Sequence, residues 1–275
     1  MDADDAELIR DGNNIMYSLR SGIVARIGAP GTRDTALREV AVSRWLETAG
    51  IPATQAIADL PQNVLVDDRP ITWWKFLPSH RPATPSDLGR ILLQLHRLDA
   101  PQDLHLPAHN PFAGIRDRVQ QAIWLTDDDQ TWLIEHERTL SKAYDSLSPP
   151  IDRGLIHGDA WQGNVALLDD GRTVLLDLEA VSHGHRAWDL IQIAVDFTDF
   201  RRLSRKAYQG FVDSYGGYDL TTSHNFRTFA DIQVLRWLAF ALSKATDDPA
   251  AIRECRHRLS CVRGDIPRPW TWAAL

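Results

Sequence analysis

The residues of this 275-residue chain best suited to chemistry sit in one short island, Leu155-Ile156-His157-Gly158-Asp159-Ala160-Trp161-Gln162-Gly163-Asn164, with Asp177-Leu178-Glu179 after it. Written as a pattern, this is H-x-D-x-x-x-x-N, then a hairpin, then D-x-E. Asp159, Asn164 and Asp177 all offer oxygen, the donor atom that a hard cation takes. Taken singly, Asp159 would cap a turn, Asn164 would start a strand and Asp177 would end one. As an ordered set with a hairpin between the second and third members, they mark a site. Glu179 lies two residues beyond Asp177, so on a strand it shares that face, where it either reaches a metal through water or has a simple structural role. His157 shapes the loop through hydrogen bonds to the backbone.

This island resembles the aminoglycoside phosphotransferase family, the small-molecule branch of the protein-kinase-like fold, and the resemblance extends over essentially the whole chain. It implies an α+β, bilobal fold and transfer of the γ-phosphoryl group of ATP or GTP to a hydroxyl of a small molecule. By resemblance, Asp159 orients the acceptor hydroxyl and takes its proton, and Asn164 and Asp177 ligate Mg²⁺. Asp189, in Trp188-Asp189-Leu190, resembles the family's later aspartate that braces the catalytic loop.

The resemblance also assigns the nucleotide's contacts. Asp11-Gly12-Asn13-Asn14 would lie over the phosphates, with Asn13 and Asn14 as binding candidates, because small residues let backbone N–H groups approach anionic oxygens. Arg26, in Ile23-Val24-Ala25-Arg26-Ile27, stands where kinase-like folds place the lysine that meets the α- and β-phosphates. An arginine forks onto two oxygens and keeps its charge, with a different reach. Glu39 would pair with Arg26. Trp74, Phe76 and Leu77 stand at the hinge whose backbone binds the purine, and backbone recognition leaves ATP and GTP undistinguished.

The surrounding pattern supplies the elements that must hold these residues. Residues 6 to 28 read as short extended segments broken at Asp11-Gly12-Asn13-Asn14 and Ser21-Gly22, which gives two hairpins. Leu37, Val40, Ala41, Trp45 and Leu46 recur at helical spacing, and Gly50 followed by Pro52 stops that helix. Extended character returns at Asn63-Val64-Leu65-Val66 and from Ile71 to Leu77. The expectation is a small antiparallel-sheet lobe over residues 1–77 carrying one helix, and a larger, mainly helical lobe over 78–275. Thr84-Pro85-Ser86-Asp87 is a capping box opening the first helix of the second lobe. Residues 115–146 and 186–245 carry helical patterns, and the turn Asp169-Asp170-Gly171 joins two apolar runs into a hairpin.

Composition excludes whole classes. Thirty basic against 37 acidic residues give a net charge of −7, which argues against a nucleic-acid backbone or an anionic membrane as partner and suits a cationic small molecule. The longest apolar stretch, Val234 to Leu242, is broken by Arg236 and is far shorter than the ~20 residues of a membrane span. The acidic N-terminus lacks the basic region of a secretory signal, so a cytoplasmic monomer or homodimer is expected. Cys255 and Cys261 are too few for a disulfide framework and are read as reduced.

An aminoglycoside or another antibiotic leads among acceptors, in resistance or self-protection. Choline, homoserine and hexosamine are the metabolic alternatives. In the second lobe, Asp196, Asp199, Asp231, Asp247, Asp248 and Glu254, with Trp237, Trp270 and Trp272, offer charge and rings to an aminated substrate, but most of them read as surface charge and core, and the net charge of +3 over the last 26 residues favours an anionic group instead. A nucleotide-binding pseudokinase is the reading from another class, prompted by Arg26 and opposed by intact Asp159, Asn164 and Asp177. Protein-kinase activity is opposed by His157-Gly158-Asp159, which lacks an arginine between its outer residues, and by the absence of an A-P-E segment. His183-Gly184-His185 without H-E-x-x-H reads as two surface histidines.

Overall fold

The computed structural model describes residues 6–12, 14–19, 22–62, 64–147 and 153–275. Strands β1 (Glu7–Asp11), β2 (Ile15–Leu19) and β3 (Ile23–Ile27) form an antiparallel meander in which Met16 pairs with Arg26 and Ser18 with Val24. Helix α1 (Arg33–Thr48) ends where Gly50 turns left-handed, its N–H donating to the Glu47 carbonyl at 3.2 Å. Strands β4 (Val64–Val66) and β5 (Arg69–Lys75) are joined by Asp67 and Asp68, at φ 49° and 61°, as a tight hairpin turn requires. The sheet runs β1-β2-β3-β5-β4. Alternation along β5 buries Pro70, Thr72 and Trp74, and Trp74 packs with Val24, Val40 and Ala56, so α1 closes one face of the sheet.

Strand β6 (His80–Pro82) precedes α2 (Pro85–His96), whose N-terminus is closed by reciprocal hydrogen bonds between Thr84 and Asp87. Strand β7 (Arg153–Ile156) leads into the island, and β8 (Val165–Leu168) and β9 (Thr173–Leu175) form its hairpin, with β6 on the outer side of β8. Ala166, Leu168 and Val174 form a small core completed by Leu77 and Leu176. Leu175 donates to the Pro52 carbonyl at 2.9 Å and accepts from Thr54 at 2.8 Å, which ties this hairpin to the segment after α1. Residues up to Pro107 together with Gly154–His183 thus form one compact unit. The division expected after residue 77 runs through that unit.

The second unit comprises Ala108–Arg153 and Gly184–Leu275. It contains α3 (Ile115–Gln121), α4 (Asp127–Asp145), α5 (Ala187–Thr198), α6 (Arg205–Ser214), α7 (Phe226–Lys244) and α8 (Pro249–Arg263), and the chain passes into it within β10 (Ser182–His185), just before α5. Helix α7 is buried on most of its surface because α3, α4, α5 and α8 all pack on it. Cys255 and Cys261 are free and buried. The expectation of two surface histidines is corrected at His185: His183 is exposed, but His185 is buried against the ring edges of Tyr144 and Phe229. Among the described residues, no helix is long and apolar enough to cross a membrane.

Candidate active site

Strand β7 delivers His157 into a loop folded tightly on itself. Gly158 has φ 84°, and a Cβ there would lie 2.3 Å from the Ala180 carbonyl oxygen, so only glycine permits this approach. The buried His157 places Nε2 2.9 Å from the Leu176 carbonyl, which fits its expected loop-shaping part. Asn164 donates through Nδ2 to both the backbone oxygen and Oδ2 of Asp159, each at 2.9 Å. The Asp159 carboxylate is therefore exposed but oriented, and the Asn164 amide oxygen has no hydrogen-bond partner among the described residues.

Asp177 departs from the strand geometry expected for it. Strand β9 ends at Leu175, Asp177 adopts φ 53°, and Leu178–Ala180 wind into a single 3-10 turn. Asp177 and Glu179 are therefore not alternate residues of a strand, and what brings them near one another is the turn. Aspartate tolerates this left-handed conformation better than most side chains. Its Oδ1 is buried without a hydrogen-bond partner. Such an oxygen is costly to leave unpaired and is suited to a cation.

The turn faces α1, which packs against it, and Arg26 of β3 joins the two. Arg26 Nη1 donates to Glu39 Oε1, Nη2 donates to Glu179 Oε2 at 2.7 Å, and Asp177 Oδ1 lies 3.9 Å from Nη2. Asn14 accepts from Arg26 through its amide oxygen, at 2.6 Å from Nη2 and 3.2 Å from Nε. Glu39 is only 4% exposed, and burial pushes its carboxyl up to about 7 against the opposing pull of Arg26. Burial also disfavours the charged guanidinium, but Glu39 and Glu179 more than offset that and raise its pKa above the usual arginine value. One cation thus faces three carboxylates.

Asn13 lies outside the described residues. Asn14, Arg26, Glu39 and Asp177 are brought together, as are Asp159 and Asn164. Trp74 is a core residue whose indole N–H donates to Thr72 Oγ1 at 2.9 Å. Phe76 is exposed, with its N–H committed to the Gly22 carbonyl at 2.8 Å, and Leu77 packs on the β8–β9 hairpin. No hydrogen bond or ion pair links these three to the other candidates among the described residues. Glu179 pairs with Arg26, a structural role whose partner lies too far away in sequence to be read from it. Trp161, exposed and seated over Gly163, was missed; its signal was an aromatic residue inside the island with glycine two positions on.

Among the described residues, no group of three or more His, Cys, Asp or Glu side chains is arranged to hold a metal ion by itself. Magnesium commonly takes one or two protein carboxylates and completes its shell with water and substrate phosphates. The Asn164 amide oxygen and Asp177 Oδ1, neither of which accepts a hydrogen bond among the described residues, fit that pattern. Acidic residues of the second unit are mostly engaged already: Asp199 and Asp231 by Arg227 and Arg268, Asp196 by Arg202, and Glu254 by Arg258. Trp237, Trp270 and Trp272 pack around Phe200.

Comparison with known proteins gives concordant findings. A probable ketoamine kinase of Enterococcus faecium is 31% identical over 142 residues, 45% of this chain and 50% of that one. The chain spans about half the length of this curated relative. An amicoumacin kinase solved with AMP-PNP and Ca²⁺ superposes with a TM-score of 0.73 at 13% identity, covering 98% of this chain and 91% of that one. A microcompartment-associated aminopropanol kinase gives a TM-score of 0.72 at 18% identity, covering 94% and 89%. Residues 9–253 match the profile of a family described as the phosphotransferase enzyme family.

Proposed function

The chain belongs to the phosphotransferase enzyme family and has a protein-kinase-like fold, and we propose that it is a small-molecule kinase that moves the γ-phosphoryl group of ATP or GTP directly to a hydroxyl of an aminated small molecule. The acceptor we favour is an aminoglycoside or another antibiotic, in resistance or self-protection. The observation that carries the mechanism is Asp159, exposed, oriented by Asn164 and followed by a buried Asp177 oxygen that accepts no hydrogen bond.

In this reading, Asp159 receives the acceptor proton as the acceptor oxygen bonds to the γ-phosphorus. The bond from that phosphorus to the β–γ bridging oxygen breaks, and the nucleoside diphosphate leaves. Asn164 keeps the Asp159 carboxylate pointed through its two hydrogen bonds. Mg²⁺, held by Asn164 and Asp177, would supply neutralisation of the phosphate charge. Arg26 would meet phosphate oxygens, with Glu39 and Glu179 fixing its direction. Asn13 and Asn14 would lie over the phosphates, and the backbone of Trp74, Phe76 and Leu77 would face the purine. Functionally, 1–77 then serves the nucleotide and 78–275 serves catalysis and the acceptor.

A second reading, a metabolic kinase of amino alcohols or sugar-derived ketoamines, is supported by the Enterococcus relative. One experiment separates the two. Pools of aminoglycosides, peptide and nucleoside antibiotics, ketoamines, hexosamines and amino alcohols are incubated with the protein, Mg²⁺ and either nucleotide, then read by mass spectrometry against Asp159→Asn. The proposal expects one compound class to gain a single phosphoryl group with the wild-type chain alone. Nucleotide binding with no phosphorylated product in any pool would contradict it.

A further inference from the structure

Trp161 lies two residues after Asp159 and three before Asn164, the pair tied together at 2.9 Å. Its backbone is extended, at φ −154° and ψ 168°, and its carbonyl accepts from the Asn164 N–H at 3.0 Å. The six-membered ring of the indole sits on Gly163, where a Cβ would fall 2.2 Å from Cη2, 2.4 Å from Cζ2 and 2.6 Å from Cζ3. Yet 42% of Trp161 is exposed. Among the described residues it joins no ring stack, carries no cation on its face and donates no side-chain hydrogen bond. Trp270 and Trp272 differ: both are buried, and each has an arginine against its ring.

Exposed indole surface costs hydrophobic free energy that a loop needing only a turn would avoid with a smaller residue. Gly163 has the complementary feature, since any side chain there would lift the ring from its seat. The pair therefore holds a flat apolar face at a fixed place within the loop that presents Asp159. We infer that Trp161 is a specificity-determining residue whose open indole face stacks on a ring of the acceptor, so that cyclic, sugar-like hydroxyl compounds are taken in preference to open-chain amino alcohols. The fused rings match the C–H face of a six-membered sugar, whereas a two- or three-carbon amino alcohol covers only a corner of them. This inference rests on the proposed small-molecule kinase activity and names the acceptor's shape.

The test compares wild type, Trp161→Phe, Trp161→Leu and Gly163→Ala with Mg·ATP on two sets of probes. Kanamycin, glucosamine and fructosyl-lysine form the cyclic set; choline, ethanolamine, 1-amino-2-propanol and homoserine form the open-chain set. The expected result is wild-type preference for a cyclic probe. Its KM should rise about tenfold or more in Trp161→Leu and in Gly163→Ala, with KM for ATP unchanged and Trp161→Phe restoring most of the loss. Trp161→Leu keeps an apolar side chain and Trp161→Phe keeps a flat one, so the pair separates stacking from folding. A wild-type preference for open-chain probes, or equal cyclic-probe KM values in Trp161→Leu and Trp161→Phe, overturns the inference alone. A wild-type chain that phosphorylates neither set overturns the kinase proposal beneath it.

Discussion

Each compact unit contains a knot in which arginine and several carboxylates meet, and the two knots are balanced in opposite ways. In the second unit, the buried Asp199 accepts from Arg227 at 3.0 and 2.8 Å and from Arg268 at 2.9 Å, while Asp231 accepts from the same two arginines. Burial would raise the Asp199 carboxyl, but the two arginines reverse that and hold it below the usual carboxylate value. Two cations meet two anions. In the first unit, Arg26 alone meets Glu39, Glu179 and Asp177, burial raises Glu39, and Asp177 Oδ1 lies 3.9 Å from the guanidinium without accepting a hydrogen bond. A balanced knot has no capacity left and serves the fold; an unbalanced one keeps oxygen free, and there we place the metal-bound nucleotide.

The comparison can be broken most sharply at Asp159. Asp159→Asn should lower kcat by about a thousandfold, with nucleotide affinity by calorimetry within about twofold of wild type, since the loss falls in the transition state. On the balanced side, Asp199→Ala removes one of the two carboxylates that Arg227 and Arg268 share, leaves Asp231 to pair with both half-exposed guanidinium groups, and should cost about 2 kcal/mol in urea unfolding. The kcat of the folded fraction should be unchanged. Arg26→Lys replaces a fork by a point charge that cannot hold Glu39 and Glu179 together, and KM for the nucleotide should rise about tenfold.

A smaller effect comes from acid. His109 and His185 are both lowered to about 4, mainly by burial and further by Arg236 and Arg153 respectively. The unfolded chain protonates these groups near the ordinary 6.5, so their contribution to stability is present above that pH and is lost as pH falls towards 4. Thermal melts across this window should show the decline, and His109→Gln should flatten it. Least of all, Arg172→Ala, which breaks a solvent-exposed pair with Asp170, should leave the melting temperature unchanged within error in the same melts.

Much of the scaffold was legible because its signals are local. The Thr84/Asp87 capping box, the Asp169-Asp170-Gly171 hairpin and the Gly50 stop each act within a few residues, and the structure places α2, β8–β9 and the end of α1 accordingly. Helix α8 was not read: Arg253, Arg256, Arg258 and Arg263 mask the buried line of Ala251, Cys255 and Leu259. Asp177-Leu178-Glu179 passed for strand because a strand and a 3-10 turn can carry the same three residues, and the close approach of Gly158 to Ala180 is tertiary. The partnership of Glu179 with Arg26 spans 153 positions, and Trp161 showed its exposure only once Gly163 lay beneath it.

The contrast between the two knots is tested most directly by melting temperature with and without Mg²⁺ and AMP-PNP, in wild type, Asp177→Asn and Asp199→Ala. Ligand at about a hundredfold excess over Kd stabilises by ~2.7 kcal/mol, a shift of several degrees. The account predicts that wild type shows a Mg²⁺-dependent increment, that Asp199→Ala starts lower and keeps the increment, and that Asp177→Asn starts near wild type and loses it. A full Mg²⁺-dependent increment in Asp177→Asn would contradict the assignment of the unbalanced knot to the metal-bound nucleotide.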